Sequence, residues 1–379
     1  MRIAFLISVV GKVKRGGEST SIGLVSYLQK HYDVQVIAGG DFPAKNAINI
    51  GFPELPVYEK IFTMLPRFIR NKILFRLHLS PLHLRNFFFC RRAREILWKN
   101  PPDLIVLRSI GPMGMKFGRN FRRKFGTPVV TIDGGWFLGE RETNRYHPNL
   151  HVAVNIDVAE YLRKTLPDVE TVHIPNGFRI SDYADVRDKI SLGLQGPIVL
   201  GCGSLEDFKR FDLTIKAVKL LGFGSLVLLG NGPLSDYLAR LGKDSLGARF
   251  MLGKADYNDM AKYYNAASVI TLPSINESFG MVYIEAMACG KPVVATRDRN
   301  RDIIVGDGGI LVDPTDIRAY ADALKFCLEN SFGDRPRKQA ERFDWENIGP
   351  IYKAAFEKAA QGEWDKEEYP VYRANYFRK

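Results

Sequence analysis

The chain has 379 residues, of which 46% are hydrophobic and 25% are charged, and its formal net charge is +12. This composition is typical of a folded protein with one or two cores and excludes wholesale disorder. No run of about 18 apolar residues is present, so no helix is expected to span a membrane. The cysteines Cys90, Cys202, Cys289 and Cys327 have no CxxC spacing, which predicts buried thiols in a reducing compartment and not a disulfide framework.

Short apolar runs of strand length recur along the whole chain. The first, 3–10, has no small-residue cleavage site and is followed at once by Lys12, Lys14 and Arg15, which favours a buried strand over a signal peptide. The others are 34–38, 104–107, 129–132, 151–154 and 171–174, then 198–201, 225–229, 249–252, 269–272, 292–295 and 309–312. Alternation with helical segments predicts two α/β domains with parallel sheets and a boundary near 178–196.

The excess of positive charge lies in the first half of the chain. Residues 1–180 hold 27 Lys and Arg against 14 Asp and Glu, and residues 60–124 hold 16 against two, Glu95 and Asp103. Large apolar residues interleave with these cations, among them Phe62, Phe68 and Trp98, and Leu65, Ile69, Ile73 and Leu77 form a stripe of helical spacing. The mixture favours an anionic membrane surface. A solvated basic face is the alternative, and nucleic acid is disfavoured because no recognised motif is present.

Four loops at predicted strand ends carry candidate binding residues, since such sheets bind ligands beyond the carboxyl ends of their strands. Three of them are weak taken alone, because glycine pairs are often only turns and cations at a helix start are often only solvated. They are Gly16-Gly17 after the first strand, Lys209 and Arg210 after strand 198–201, and Gly230-Asn231-Gly232-Pro233 after strand 225–229. Glycines and cations before helices suit phosphate groups.

The fourth loop is more specific. Between Leu272 and Thr296 the sequence is LPSINESFGMVYIEAMACGKPVVAT, in which Gly280 permits a close backbone approach before a helix. Glu277 lies in the loop and Glu285 about one turn inside that helix. Backbone N–H groups at a helix start suit phosphates, and carboxylates suit ribose and sugar hydroxyls.

The stretch from Glu277 to Ala295 resembles the signature of the retaining glycosyltransferases usually numbered family four, or glycosyl transferases group 1. Further similarities span about 350 residues in the family's order: Gly16-Gly17, Ile174-Pro175-Asn176-Gly177, Lys209, Gly230-Asn231-Gly232-Pro233, Leu311-Val312-Asp313-Pro314 and Phe343-Asp344-Trp345. The resemblance implies the GT-B fold, an α/β architecture of two Rossmann-like domains facing across a central cleft. The implied domains are 1–180 on the acceptor side, with a basic, apolar insert at 60–124, and 181–348 for the nucleotide sugar. Residues 349–379 are implied to cross back to the first domain.

The resemblance also implies roles for individual residues. Lys209 is expected to contact the donor diphosphate, and Arg210 to replace an arginine that relatives carry in the place of Ser204. Glu277 is expected to meet the transferred sugar, and Glu285 the ribose hydroxyls. The remaining donor-side candidates are Gly16, Gly17, Gly232, Lys254 and Ala255, with the backbone N–H groups of Phe279, Gly280 and Met281. Asp133 and Trp136 are acceptor-side candidates, in a loop where relatives carry a histidine that this chain lacks.

The expected activity is hexosyl transfer from a nucleotide diphosphate-sugar, such as a UDP- or GDP-sugar, with retention of configuration. Catalytic roles are expected for Glu277, Lys209 and Arg210, and no metal or cofactor is expected. The charge distribution favours a lipid or lipid-linked acceptor and a cytoplasmic protein peripheral on the inner face of a membrane. A soluble glycan or small-molecule acceptor, or a non-catalytic GT-B binding protein, are the alternatives, and nucleic acid is not expected as a partner.

Overall fold

The computed structural model describes residues 1–8, 16–51, 54–66, 68–74, 77, 79–132 and 146–362. Asp133, Trp136 and the residues after 362 lie outside this part. The chain divides into two compact units. The first contains Met1–Gly177 and Ile348–Lys379, and the second contains Phe178–Asn347. Each is an α/β unit built on one parallel sheet.

The first unit is built on a seven-stranded sheet in the order β3-β2-β1-β4-β5-β6-β7. Its strands are β1 (Arg2–Ile7), β2 (Asp33–Ala38), β3 (Ala47–Asn49), β4 (Leu104–Arg108), β5 (Val129–Ile132), β6 (Leu150–Ala153) and β7 (Thr171–His173). All the described pairs are parallel. The first strand is buried from Ile3 onward, as the apolar run predicted. The edge strand β3 was not predicted, because its three residues contain a single large apolar side chain.

Helices connect these strands. They are α1 (Gly16–Leu28), α2 (Pro56–Met64), a π-helical turn (Ile69–Leu74), α3 (Pro81–Leu97), α4 (Gly111–Phe125) and α5 (Ile156–Thr165). Two residues stabilise the start of α3: the Ser80 side chain caps the helix by accepting a hydrogen bond from the His83 N–H, and Pro81 occupies the first turn. Within the described residues, no helix is both long enough and apolar enough to cross a bilayer.

The basic segment 60–124 was expected to be an insert in the first domain. Only its first part is one, because the segment also contains β4 and most of α4, which belong to the regular alternation of strands and helices. The stripe from Leu65 to Leu77 does not lie on one helix. The helix α2 ends at Met64, and Pro66 follows. Proline disfavours helical backbone in the residue before it and cannot donate its own N–H, so the chain continues as a separate π-helical turn.

The last helix, α14 (Trp345–Gln361), belongs to the first unit from Ile348 onward. In that part Tyr352, Ala355, Phe356 and Ala359 are buried. The hydroxyl of Tyr32, just after α1, donates to the Glu357 carboxylate over 2.5 Å. Helix α14 therefore packs against the first unit with one apolar side.

The second unit is built on a six-stranded sheet in the order β10-β9-β8-β11-β12-β13. Its strands are β8 (Ile198–Cys202), β9 (Ser225–Leu229), β10 (Phe250–Gly253), β11 (Val269–Leu272), β12 (Val293–Thr296) and β13 (Gly309–Val312). Its helices are α6 (Ser181–Ala184), α7 (Phe211–Leu221), α8 (Ser235–Leu246), α9 (Met260–Ala266), α10 (Met281–Ala288), α11 (Arg299–Val305), α12 (Ile317–Glu329) and α13 (Arg335–Glu341). Short 3₁₀ turns cover Asp207–Lys209, Gly247–Arg249, Tyr257–Asp259 and Gly306–Gly308. All six strands predicted for this half are present.

The strand order determines where this unit can bind a ligand. The chain runs from β8 outward through β9 to β10, and then returns to place β11 on the other side of β8. Connections therefore leave β8 and β11 in opposite directions, and the loops that follow these two strands diverge around a crevice. Open parallel sheets bind their ligands at such a point.

Candidate active site

A buried ion pair occupies the point where the strand order reverses. The Lys209 ammonium, after β8, lies 2.5 Å from the Glu277 carboxylate, after β11. The two side chains are only 11% and 15% exposed. Since burial removes the Lys209 ammonium from water, its charge is stabilised by the Glu277 carboxylate. The two residues that were predicted separately, as a diphosphate contact and a sugar contact, thus lie together.

The backbone around Lys209 fixes the position of its side chain. Lys209 ends the 3₁₀ turn after β8, and its Cε passes 3.6 Å from the place that a Cβ on Gly203 would take. The Ile275 N–H donates to the Phe208 carbonyl over 2.9 Å, which ties the loop that carries Glu277 to this turn. The ammonium also lies 5.3 Å from the centre of the Phe208 ring. These contacts hold the cation at the carboxyl end of the sheet.

Arg210 has a left-handed backbone, with φ of 53°, a conformation that costs a non-glycine residue about 1–2 kcal/mol. Its guanidinium donates to the Pro273 carbonyl over 2.7 Å and to the Thr296 hydroxyl over 3.0 Å. Burial lowers the pKa of Arg210, and the positive charge of Arg301 lowers it further. The side chain therefore ties the ends of β11 and β12 together. Its role as a replacement phosphate contact stays a prediction.

The helix α10 begins directly after the loop that carries Glu277. Gly280 has φ of +85° and its carbonyl accepts from the Tyr283 N–H over 2.9 Å. The first N–H groups of a helix have no acceptor within it, so those around Gly280 and Met281 can bind an anion. The Phe279 side chain is 2% exposed and packs edge-on against the Phe343 ring. Only the backbone of Phe279 can therefore meet a ligand.

Glu285 lies inside α10 and is 3% exposed. Tyrosine hydroxyls surround it: Tyr264 donates to one carboxylate oxygen over 2.8 Å and Tyr257 to the other over 3.3 Å. Burial raises the pKa of Glu285, while hydrogen bonds from the tyrosine hydroxyls oppose this rise. Tyr183 is the third of these donors. The sequence predicted a carboxylate for ribose here, but it did not predict the three tyrosines, which come from three separate segments.

The other donor-side candidates of this unit lie on neighbouring loops. A Cβ on Gly230 would come within 1.9 Å of the Gly203 carbonyl oxygen, and one on Gly232 within 2.5 Å of the Leu205 oxygen. The two glycines are therefore required for this close approach of two loops. Ser204 lies on the loop that follows β8 and is half-buried. Lys254 is exposed and Ala255 half-buried after β10, and the Gly253 carbonyl accepts from the Gly230 N–H over 2.9 Å.

The glycine pair of the first unit opens α1. The space beside Gly17 is open, since nothing lies within 4 Å of where its Cβ would be. Its carbonyl accepts from the hydroxyls of Thr20 and Ser21 over 3.0 and 2.7 Å. Arg108, at the end of β4, is buried and donates to the Thr20 hydroxyl over 2.9 Å. This buried cation beside the start of α1 was missed, because its sequence position does not reveal its neighbours.

A second missed residue is Arg301 in α11, which is 1% exposed. It pairs with Asp298, the residue that caps the same helix. It also donates to the Ser274 carbonyl over 2.9 Å and to the Tyr283 hydroxyl over 3.1 Å. Arg301 thus supports the loop that leads from β11 to Glu277. The sequence has arginines at 297, 299 and 301, but the spacing does not reveal that the last of them is buried.

All four cysteines are free, and Cys90, Cys202 and Cys327 are buried. Burial raises the pKa of the Cys202 thiol to about 12. Among the residues that the structure describes, no three His, Cys, Asp or Glu side chains are grouped as metal ligands. The thiols are therefore packed as small apolar groups.

The protein consists of two α/β units, each built on one parallel sheet, and an ion pair lies at the switch point of the second sheet. These features define a protein of the GT-B fold class, as the sequence predicted. Residues 196–330 match the model of the family described as "Glycosyl transferases group 1". The match lies wholly within the second unit. It includes Lys209, Glu277 and Glu285.

Three individual proteins illustrate the similarity. The D-inositol 3-phosphate glycosyltransferase of Mycobacterium bovis (strain BCG / Pasteur 1173P2) is 32% identical over an alignment of 208 residues, and the match covers 50% of this chain and 43% of that relative. The chain therefore spans less than half the length of this curated relative. The sucrose-phosphate synthase structure from Thermosynechococcus elongatus has a TM-score of 0.73 at 21% identity and covers 96% of this chain and 100% of that one. Anabaena HepE in complex with UDP-glucose has a TM-score of 0.67 at 18% identity, with 94% and 100% covered.

Proposed function

We propose that the protein is a retaining glycosyltransferase that moves a hexose from a nucleotide diphosphate-sugar to an acceptor hydroxyl. The observation that carries the proposal is the buried pair of Lys209 and Glu277 beside the start of α10. The pair offers a cation for the diphosphate and a carboxylate for sugar hydroxyls at one point. The match of residues 196–330 to a glycosyltransferase family supports the same activity.

In the proposed reaction, the bond between the anomeric carbon and the diphosphate oxygen breaks while the acceptor oxygen bonds to the same carbon from the same face. The acceptor's proton passes to the departing diphosphate. Negative charge grows on that diphosphate, so Lys209 and the first N–H groups of α10 stabilise the transition state more than the ground state. Glu277 aligns the sugar by accepting from its hydroxyls. Glu285 is assigned to the ribose.

A donor screen tests this proposal. The purified protein is incubated with UDP-, GDP- and ADP-sugars, and release of the nucleoside diphosphate is followed with and without anionic lipid vesicles. We expect release from one donor, and a UDP-sugar is the first candidate because HepE was solved with UDP-glucose. If no donor reacts and no nucleotide raises the midpoint of thermal unfolding, transfer is refuted and a non-catalytic binding protein becomes the better explanation.

For the acceptor, we propose a lipid or lipid-linked glycan at an anionic membrane surface. Of the 16 large hydrophobic side chains that are exposed in the described residues, 11 lie between Val57 and Trp98. Helix α2 has no buried residue, and Val57, Ile61 and Met64, which share one side of it, are 71%, 53% and 75% exposed. Exposed apolar area of this extent marks an interaction surface.

Charges around α2 and α3 suit an anionic bilayer. Lys60 on α2 and Arg91 and Arg94 on α3 are exposed. A groove of about 350 Å³ between the two helices is lined by Phe62, Thr63, Pro81 and Leu82, with Glu59 and Arg85 paired at its wall. Apolar side chains that enter the headgroup region and cations that attract anionic lipids act together in peripheral binding. We propose that this face places the acceptor and that the protein is peripheral to a cytoplasmic membrane surface.

Vesicle flotation tests the membrane surface. We expect binding to vesicles that contain phosphatidylglycerol, weaker binding at high salt, and at least about tenfold weaker binding for the double variant Ile61→Asp/Met64→Asp, because each side chain would otherwise bury apolar area worth about 1.5–3 kcal/mol. Leu220→Asp is the matched control, since Leu220 is 53% exposed on α7 of the second unit. Equal binding to neutral and anionic vesicles, or equal loss in the control, would contradict the proposal.

A further inference from the structure

The carboxylate of Glu285 is the end point of a chain of tyrosine hydroxyls. Tyr183 donates to the Tyr257 hydroxyl over 3.0 Å, and Tyr257 donates to one oxygen of Glu285 over 3.3 Å. Tyr264 donates to the other oxygen over 2.8 Å, and the Cys202 sulfur lies 3.5 Å from its hydroxyl. A carboxylate in so buried a place depends on such donors, because each hydrogen bond replaces one that water would make.

The three tyrosines differ in whether a ligand can displace them. Tyr264 is 0% exposed on α9 and Tyr183 is 7% exposed on α6, so both are fixed by packing. Tyr257 is half-buried and begins a single 3₁₀ turn, two residues after Ala255. Its bond to Glu285 is also longer than the bond that Tyr264 makes, 3.3 Å against 2.8 Å. Tyr257 is therefore the donor that can leave Glu285 without disturbing the core.

We propose that the Tyr257 hydroxyl holds the place that a donor ribose hydroxyl takes on Glu285, and that it leaves this carboxylate when the nucleotide binds. This inference rests on the proposed function, in which Glu285 receives the ribose. Tyr257 is thus a specificity-determining residue: it supplies a hydrogen bond to Glu285 in the empty site, and a ligand must supply an equivalent hydroxyl to displace it. A nucleotide without ribose hydroxyls cannot make this exchange.

The proposed exchange predicts whether removing the Tyr257 hydroxyl raises or lowers the affinity for a nucleotide. Tyr257 stabilises the empty site, so it lowers the affinity for any nucleotide whose ribose hydroxyl replaces it. Tyr257→Phe keeps the ring and removes only this hydroxyl, so Glu285 accepts one hydrogen bond fewer until a ribose arrives. The affinity for a ribonucleotide should then rise, whereas a dideoxynucleotide gains nothing.

Calorimetric titration with UDP and with 2′,3′-dideoxy-UDP tests the inference. For Tyr257→Phe we expect the ratio of the two dissociation constants, dideoxy-UDP over UDP, to increase about 3–10-fold, the effect of one net hydrogen bond. Tyr320→Phe is the control, because it removes a fully buried tyrosine hydroxyl of the same unit that bonds Thr214 and Thr271 and not Glu285; its ratio should stay within about twofold of the wild-type ratio. A ratio that is unchanged or decreased in Tyr257→Phe overturns the inference.

The test separates this inference from the proposed function. If UDP does not bind to the wild-type protein, the titrations are repeated with GDP and ADP and their dideoxy forms. Failure of all three nucleotides to bind overturns the nucleotide-sugar function together with the role of Tyr257. Binding without the change in ratio overturns the role of Tyr257 alone and leaves the proposed function standing.

Discussion

Replacing Lys209 by methionine is expected to lower kcat/KM for sugar transfer by about 10²–10³-fold, the loss seen when one preorganised donor to a developing negative charge is removed. The Lys209 ammonium lies 2.5 Å from the Glu277 carboxylate, at the point where the loops after β8 and β11 diverge. Methionine keeps the apolar stem that passes Gly203 and removes only the charge. Release of the nucleoside diphosphate, with the donor identified by the screen, measures the effect.

Glu277→Gln is expected to cause a loss of similar size, because it leaves the Lys209 charge buried without its partner. The double variant should be no more than about tenfold less active than either single variant, since residues that act as a unit are not additive. Lys216→Met is the control: Lys216 pairs with Asp212 over 2.9 Å on the adjacent helix, with side chains 49% and 28% exposed. An active Lys209→Met protein, or an equal loss in Lys216→Met, would contradict this role for the ion pair.

Gly280→Ala is expected to lower the free energy of unfolding by about 2–5 kcal/mol and to remove transfer activity. Gly280 has φ of +85°, and a Cβ at this position would come within 2.3 Å of the Tyr283 ring and 3.2 Å of the Glu277 side chain. The Tyr283 ring is fully buried and its hydroxyl donates to the Leu272 carbonyl over 3.2 Å. The ring therefore cannot move away cheaply, and the backbone that holds Glu277 must shift.

Urea unfolding curves measure this effect, and Gly290→Ala is its control. Gly290 follows the other end of the same helix with φ of +73°, but nothing lies within 4 Å of where its Cβ would be. Its substitution should therefore cost only the conformational term of about 1–2 kcal/mol. The difference between the two variants reports the clash with Tyr283. Equal destabilisation of both would show that backbone conformation alone explains the need for glycine at 280.

The sequence predicted the strands of both sheets because buried parallel strands are covered by helices on both faces and appear as short, continuous apolar runs. All twelve predicted strands are present, with ends that differ by a few residues. The strand Ala47–Asn49 was missed since it is a short edge strand, and an edge needs little apolar surface. The stripe from Leu65 to Leu77 predicted an amphipathic face by spacing alone, which ignores the break at Pro66.

The candidate site was predictable as separate loops. Glycines and cations that follow strands are visible in sequence, and the stretch from Glu277 to Ala295 resembles a family signature without any structure. What each loop contacts is not visible, because the partner of Lys209 is 68 residues away and the order of strands in the sheet brings the two together. The surroundings of Glu285 could not be predicted for the same reason: its tyrosines come from α6, the turn at Tyr257 and α9.

The sequence by itself determined the two α/β units, the match of residues 196–330 to glycosyl transferases group 1, and the excess of positive charge in the first half, because each of these depends on local pattern and composition. The tertiary structure decided which charges are buried and paired. It also decided that Arg301 donates to the Ser274 carbonyl in the loop that leads to Glu277, and that α2 exposes apolar side chains. These features depend on long-range packing, since burial and hydrogen-bond partners are set by the pairing order of the strands and not by distance along the chain.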